Sequence, residues 1–147
     1  MDHLFLGSVG AAYNSQTLTN LKISHILTVC DCLPPKFPGE FEYKVISVSD
    51  EPSTRLNLYF KEATDFIRNA IADGGNVLVH CFAGVSRSAS VVIAYLMRFH
   101  CMEYLKAYNL VKAKRPWINP NYGFQAQLKR YGVMLKEQKL KGLIKVE

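Results

Sequence analysis

No stretch of this chain approaches the ~20 consecutive apolar residues that a membrane-spanning helix requires. The opening Met1-Asp2-His3-Leu4 lacks the basic and then apolar layout of a secretory signal, and Asp2 stands where a myristoylated chain needs glycine. Cysteine is scarce. Cys30, Cys32, Cys81 and Cys101 do not form the dense framework of a small secreted domain. Nor do they make a metal site. Cys30-x-Cys32 and the adjacent pairs His80-Cys81 and His100-Cys101 miss the separation of two to four residues usual for structural zinc. Internal repeats, low-complexity tracts and linkers are missing too. These absences exclude a membrane-spanning protein, a disulfide scaffold, a zinc module and a repeat array. They leave an intracellular chain, cytoplasmic with the nucleus open to it, with no metal and no cofactor expected.

What is present fits one compact domain over residues 1–147. Hydrophobic residues make up 49% of the 147 and charged residues 20%, enough apolar surface for a real core. The net charge of +6 favours anionic partners without the weight that would call for nucleic acid. Much of it lies at the end. Lys129, Arg130, Lys136, Lys139, Lys141 and Lys145 face only Glu137 and Glu147 there. This basic helix or tail, from about residue 129, reads as a solvated face, with docking to an acidic partner as the alternative.

Strand patterns alternate with helical ones. Leu4-Phe5-Leu6, Ile26 to Cys30, Tyr43 to Val48 and the wholly apolar Val77-Leu78-Val79 read as strands. Helices are expected over Ser15–Leu21, from Leu56 to Ile71 (capped by Ser53 or Thr54), and over Ser88–Phe99, Met102–Ala113 and Asn121–Gln138. The fold class is therefore α/β, a mostly parallel central sheet with helices on both sides. In such sheets ligands bind at the carboxyl ends of the strands, where the segment after Val79 lies.

That segment, His80-Cys81-Phe82-Ala83-Gly84-Val85-Ser86-Arg87-Ser88, joins a buried strand to a buried helix. The first amides of a helix have no internal partners, and with the helix dipole they make an anion site of phosphate size. Gly84 lets the backbone curl, and Phe82 to Arg87 supply the phosphate-binding ring. Arg87 can hold two phosphate oxygens with its planar fork. Cys81 lies inside this ring, where the field that welcomes phosphate also favours a thiolate aimed in line at phosphorus. Ser88 is placed to donate to the sulfur as it leaves. His80 reads as an orienting residue rather than a base.

His80 to Ser88 resembles the signature of the protein tyrosine phosphatase superfamily, and the flanking residues resemble its small, atypical dual-specificity branch. Leu4-Phe5-Leu6-Gly7, Ile23-Ser24-His25-Ile26-Leu27, Ala94-Tyr95-Leu96-Met97 and Arg115-Pro116 through Asn119-Pro120-Asn121-Tyr122-Gly123-Phe124 carry that likeness. The resemblance implies a dual-specificity phosphatase-like fold, a phosphorylated protein substrate and a cysteinyl-phosphate intermediate. It also implies a general acid at Asp50, with Glu51 the competitor, consistent with the proton that a leaving ester oxygen needs. In the family an asparagine matching Asn119 to Asn121 braces the phosphate loop. Asn121 is favoured for that, with a helix N-cap as the alternative.

Only 80 residues precede Cys81, and the longer domain with a Tyr-bearing loop that deepens the pocket of tyrosine-only members is missing. A shallow pocket admits phosphoserine and phosphothreonine beside phosphotyrosine. Phe82, Ala83 and Val85 are uncharged where inositol-lipid phosphatases often carry lysine. Two other readings stay open: a phosphatase for a non-protein ester (phosphoinositide, glycan or RNA end), and a catalytically inactive phospho-binding module. Cys30, ending a strand beside the one that leads to Cys81, is a candidate redox partner for it, the alternative being a small buried hydrophobe.

Overall fold

The computed structural model describes residues 2–146, with side chains through residue 142; Glu147 and the Lys145 side chain of the basic tail lie outside the described residues. Four strands, β1 (Leu4–Gly7), β2 (His25–Val29), β3 (Glu42–Ile46) and β4 (Val77–His80), form a parallel sheet in the order β1-β4-β2-β3. Six helices accompany them: α1 (Val9–Ala12), α2 (Ser15–Asn20), α3 (Phe60–Ala72), α4 (Arg87–Phe99), α5 (Tyr104–Lys114) and α6 (Tyr122–Val146).

Strand side chains alternate between faces, and here both faces are covered. Ile26 and Leu78 pack with Ala12 and Leu18 on the side of α1 and α2. Leu27, Val29, Val77 and Val79 pack on the other side, among α3 to α6. This double burial explains why Val77-Leu78-Val79 is apolar at every position. Helix α4 lies deepest, with every residue from Ser88 to Met97 buried. Burying side chains such as Ile93 and Leu96 contributes about 1.5–3 kcal/mol each, and fixes the helix whose first turn forms the site.

Several sequence expectations are corrected in detail. Ser53 and Thr54 do not cap the long helix. Its first turn, Leu56–Tyr59, is a 3-10 turn without a side-chain cap, and the Thr54 hydroxyl lies 2.7 Å from that of Ser49. Gln127 of α6 does the work instead, accepting from the Asn57 N–H and donating to the Thr54 carbonyl, both at 2.9 Å. β2 begins at His25 and stops at Val29, leaving Cys30 just past its end, and β3 runs from Glu42 only to Ile46. Helix α6 continues to Val146 rather than ending near Gln138. Its final residues are exposed through residue 142, so good helix formers extend it there rather than burial. Helix α1 had no periodic signal in its four residues.

Candidate active site

The chain leaves β1 and β4 toward opposite faces of the sheet: α1 covers one side and α4 the other. A crevice opens between two such strands at their carboxyl ends. The loop from Cys81 to Ser86 occupies it.

Four successive carbonyls of this loop are tied outward. The Phe82 carbonyl accepts from the Val9 N–H at 2.9 Å, and that of Val85 from the Asn119 N–H at 2.8 Å. Between them, the carbonyls of Ala83 and Gly84 accept from Arg115, from Nη2 at 3.2 Å and Nε at 2.9 Å. In a planar trans peptide the next N–H points the opposite way, so these ties turn the following amides toward the loop's interior. The Gly84 N–H shows the result by donating to Cys81 Sγ at 3.3 Å. Gly84 has φ +68°, and a Cβ there would come within 2.6 Å of the Gly7 carbonyl oxygen and 2.7 Å of Arg115 Nη2. No other residue fits.

Cys81 is only 2% exposed, so any reactant must enter the loop to reach its sulfur. The Ser88 hydroxyl lies 3.0 Å from that sulfur. His80 is buried between Thr28 Oγ1 at 2.8 Å from Nε2 and the Cys81 carbonyl at 3.2 Å from Nδ1. Burial lowers its pKa, leaving a neutral ring that anchors the loop's first peptide.

Arg87 points across the carboxyl end of the sheet. Its Nη1 donates to the Val48 carbonyl at 3.0 Å and to Asp31 Oδ1 at 3.2 Å. Nε is buried with no hydrogen-bond partner. A buried, unpaired guanidinium donor costs free energy unless something arrives to accept from it. Asp31 therefore sets the fork's orientation while Nε remains open to an anion. The Asp31 carboxyl is held below its ordinary pKa, first by its own backbone N–H and further by Cys32 and Arg87. Its charge in turn pushes the Cys32 thiol up.

Asp50 is exposed on the loop after β3, and Asn121 holds it: Asn121 Nδ2 donates to Asp50 Oδ1 at 2.9 Å. Asn121 Oδ1 accepts from the Phe124 N–H at 2.9 Å, capping α6, while its own N–H donates to Ser86 Oγ at 3.0 Å. The loop contact and the N-cap set against each other in the sequence thus coexist, the former through the main chain. Gly123 lets α6 begin against this loop, since any Cβ there would run into the Pro52 carbonyl. Asp65, on α3, is engaged elsewhere, paired with Arg98 at 2.6 Å.

The sequence reading missed Arg115 and the Val9 N–H as loop braces and Asp31 as a partner of Arg87, and it favoured Asn121 over Asn119, whose N–H holds the Val85 carbonyl. Arg115 also stacks over Trp117, 4.8 Å from the ring centroid. Burial lowers its guanidinium pKa. Cys30 is buried just past β2, one strand over from Cys81, and all four cysteines are unpaired. Among the described residues no group of three or more His, Cys, Asp or Glu side chains could hold a metal ion.

A thiol set among inward amides and a half-free guanidinium, on a parallel α/β sheet, defines the architecture of the cysteine-based phosphatases. The family model "Dual specificity phosphatase, catalytic domain" matches residues 4–134, and the chain belongs to that family. It is 50% identical, over 85% of its length, to dual specificity protein phosphatase 1 of Arabidopsis thaliana, and covers 63% of that relative. Among solved structures, human DUSP28 is 34% identical with a TM-score of 0.89, covering 94% of this chain and 96% of that one. A human tyrosine phosphatase-like serine/threonine/tyrosine-interacting protein is 36% identical with a TM-score of 0.87, covering 91% and 93%.

Proposed function

We propose that this chain hydrolyses phosphotyrosine and phosphoserine or phosphothreonine monoesters of proteins through a cysteinyl-phosphate intermediate. The observation that carries this reading is the set of four outward-tied carbonyls around Cys81. It supplies preorganised N–H donors where the charge of a transferring phosphoryl group develops. Arg87 adds its Nε–H, free to donate to a phosphate oxygen. Cys81 Sγ attacks phosphorus; the P–O ester bond breaks, and Asp50 gives its proton to the leaving oxygen. Ser88 then donates to the sulfur while water, deprotonated by Asp50, attacks phosphorus and breaks the P–S bond. Asn121 holds the acid. The uncharged side chains of Phe82, Ala83 and Val85 favour a monoester on a protein over a highly charged inositol lipid.

Residues 4–134 form the catalytic unit, with the basic end of α6 as an accessory surface for an acidic partner. A working thiol needs a reducing compartment, and the four unpaired cysteines fit an intracellular setting, for which we propose the cytoplasm. Among the described residues no helix is long and apolar enough to cross a membrane. The test is turnover by the purified chain on phosphotyrosine, phosphothreonine and phosphoserine peptides beside soluble phosphoinositides. Cleavage of the peptides, abolished in Cys81→Ser and unaffected by a chelator, is expected. Preference for the phosphoinositides would move the substrate class. Phosphopeptide binding without turnover would make the chain a recognition module.

A further inference from the structure

At the far end of α4 from Cys81, about 20 Å along the helix axis, a groove of about 870 Å³ opens between the start of α5 and one face of α6. Its surface is apolar, formed by Phe99, Met102, Tyr104, Leu105, Val133 and Leu135. Leu105 and Val133 are 65% and 59% exposed, so large apolar side chains face water along its edges. Exposed apolar surface gathered in a concavity marks a binding site more often than scattered surface leucines do.

The rim is basic. Lys129, Lys136 and Lys139 line it, with Glu103 the acidic residue among the lining side chains. Lys136 is paired with Glu103 at 2.8 Å, whereas Lys129 and Lys139 are in no ion pair among the described residues. Lys129 leans instead over the Tyr104 ring, 5.8 Å from its centroid. The groove thus combines an apolar floor with uncompensated positive charge.

From this charge and shape we propose that the groove docks an acidic amphipathic helix of a partner protein, apolar residues down and carboxylates toward Lys129 and Lys139. Lys129 to Lys139 spans about 15 Å of α6, which matches a helix of about ten residues lying alongside. Two helices flanking a trough offer a third the ridges and grooves it packs into. A second copy of this chain is a poor occupant, because its net charge of +6 would meet the same lysines. A bilayer surface is flat and cannot fill a concavity. The site is independent of the phosphate loop, so occupancy would anchor a substrate or regulator without using the catalytic residues.

The experiment selects binders to the intact chain from a random peptide library displayed on phage, then measures the synthesised winners by fluorescence anisotropy. Winners rich in Asp and Glu with large apolar residues at helical spacing are expected. Lys129→Glu/Lys139→Glu, and separately Val133→Asp, should each weaken them by about tenfold or more, with turnover of a small aryl phosphate unchanged as the check on folding. Basic or neutral winners, or equal binding of a scrambled peptide, would overturn the proposal. So would winners indifferent to both variants. Self-association lost in Val133→Asp would assign the groove to a second copy. Binding to phosphatidylserine vesicles lost in the same variant would assign it to a membrane. Either result overturns the proposal.

Discussion

Asn121 offers a way to separate holding the proposed acid, Asp50, from holding the fold. Its side chain caps α6 through Oδ1 and restrains Asp50 through Nδ2, while its link to Ser86 runs through the main chain and survives substitution. Asn121→Ser keeps a capping oxygen and drops the Asp50 contact; Asn121→Ala drops both. Losing an N-cap costs about 1 kcal/mol, whereas the exposed Asp50 contact contributes about 0.5 kcal/mol to folding. Catalysis should order the two differently. A positioned general acid contributes about 10²–10⁴ in rate, and loosening rather than removing it should forfeit about tenfold of that, in kcat more than KM. Both variants should therefore lose about tenfold in kcat on a phosphoserine peptide, whose alkoxide is a poor leaving group. Both should be near wild type on an activated aryl phosphate, whose leaving group needs little help. Urea denaturation should find Asn121→Ala about 1.5 kcal/mol less stable and Asn121→Ser only about 0.5 kcal/mol less stable. Equal loss on both substrates would refute the reasoning, as would Asn121→Ser with unchanged kcat on the phosphoserine peptide.

Arg115→Ala frees the Ala83 and Gly84 carbonyls, so inhibition by vanadate should weaken about tenfold, with Arg115→Lys recovering only part of it. Burial depresses the His80 pKa, so the folded chain holds it neutral while the unfolded chain protonates it near pH 6.5. Its contribution is full above about pH 6.5 and is lost as pH falls through the folded value, at up to about 1.4 kcal/mol per pH unit. Urea titrations should show this slope in wild type and a shallower one in His80→Gln. Mild peroxide should form a Cys30–Cys81 disulfide that peptide mapping detects, and Cys30→Ser should recover less activity on reduction. Equal recovery would remove Cys30 from the redox account.

The build of the loop from Cys81 to Arg87 was legible because it is local: strand, cysteine, glycine, arginine and helix follow one another in a single stretch. The parallel sheet was legible for the same reason, from Val77-Leu78-Val79 and its amphipathic neighbours. What was not legible joins segments distant in the chain. Nothing near Arg115 announces that its guanidinium bonds two loop carbonyls, or that Asp31 shares Arg87 with Val48. The start of the long helix was misread because Gln127, from another helix, replaces the local cap. Asn121 was read as one role or the other because a sequence cannot show that main chain and side chain serve different neighbours.

The central claim is a phosphoryl group carried on Cys81 sulfur. Ser88→Ala should slow release of that group by removing the hydroxyl 3.0 Å from the sulfur, while leaving the first step largely intact. Ser88→Ala mixed with a phosphotyrosine peptide, quenched in acid and analysed by intact and peptide mass spectrometry, should carry one phosphate on Cys81. Cys81→Ser treated alike should carry none. Turnover in Ser88→Ala with phosphate on a different residue, or sustained turnover in Cys81→Ser, would contradict the account.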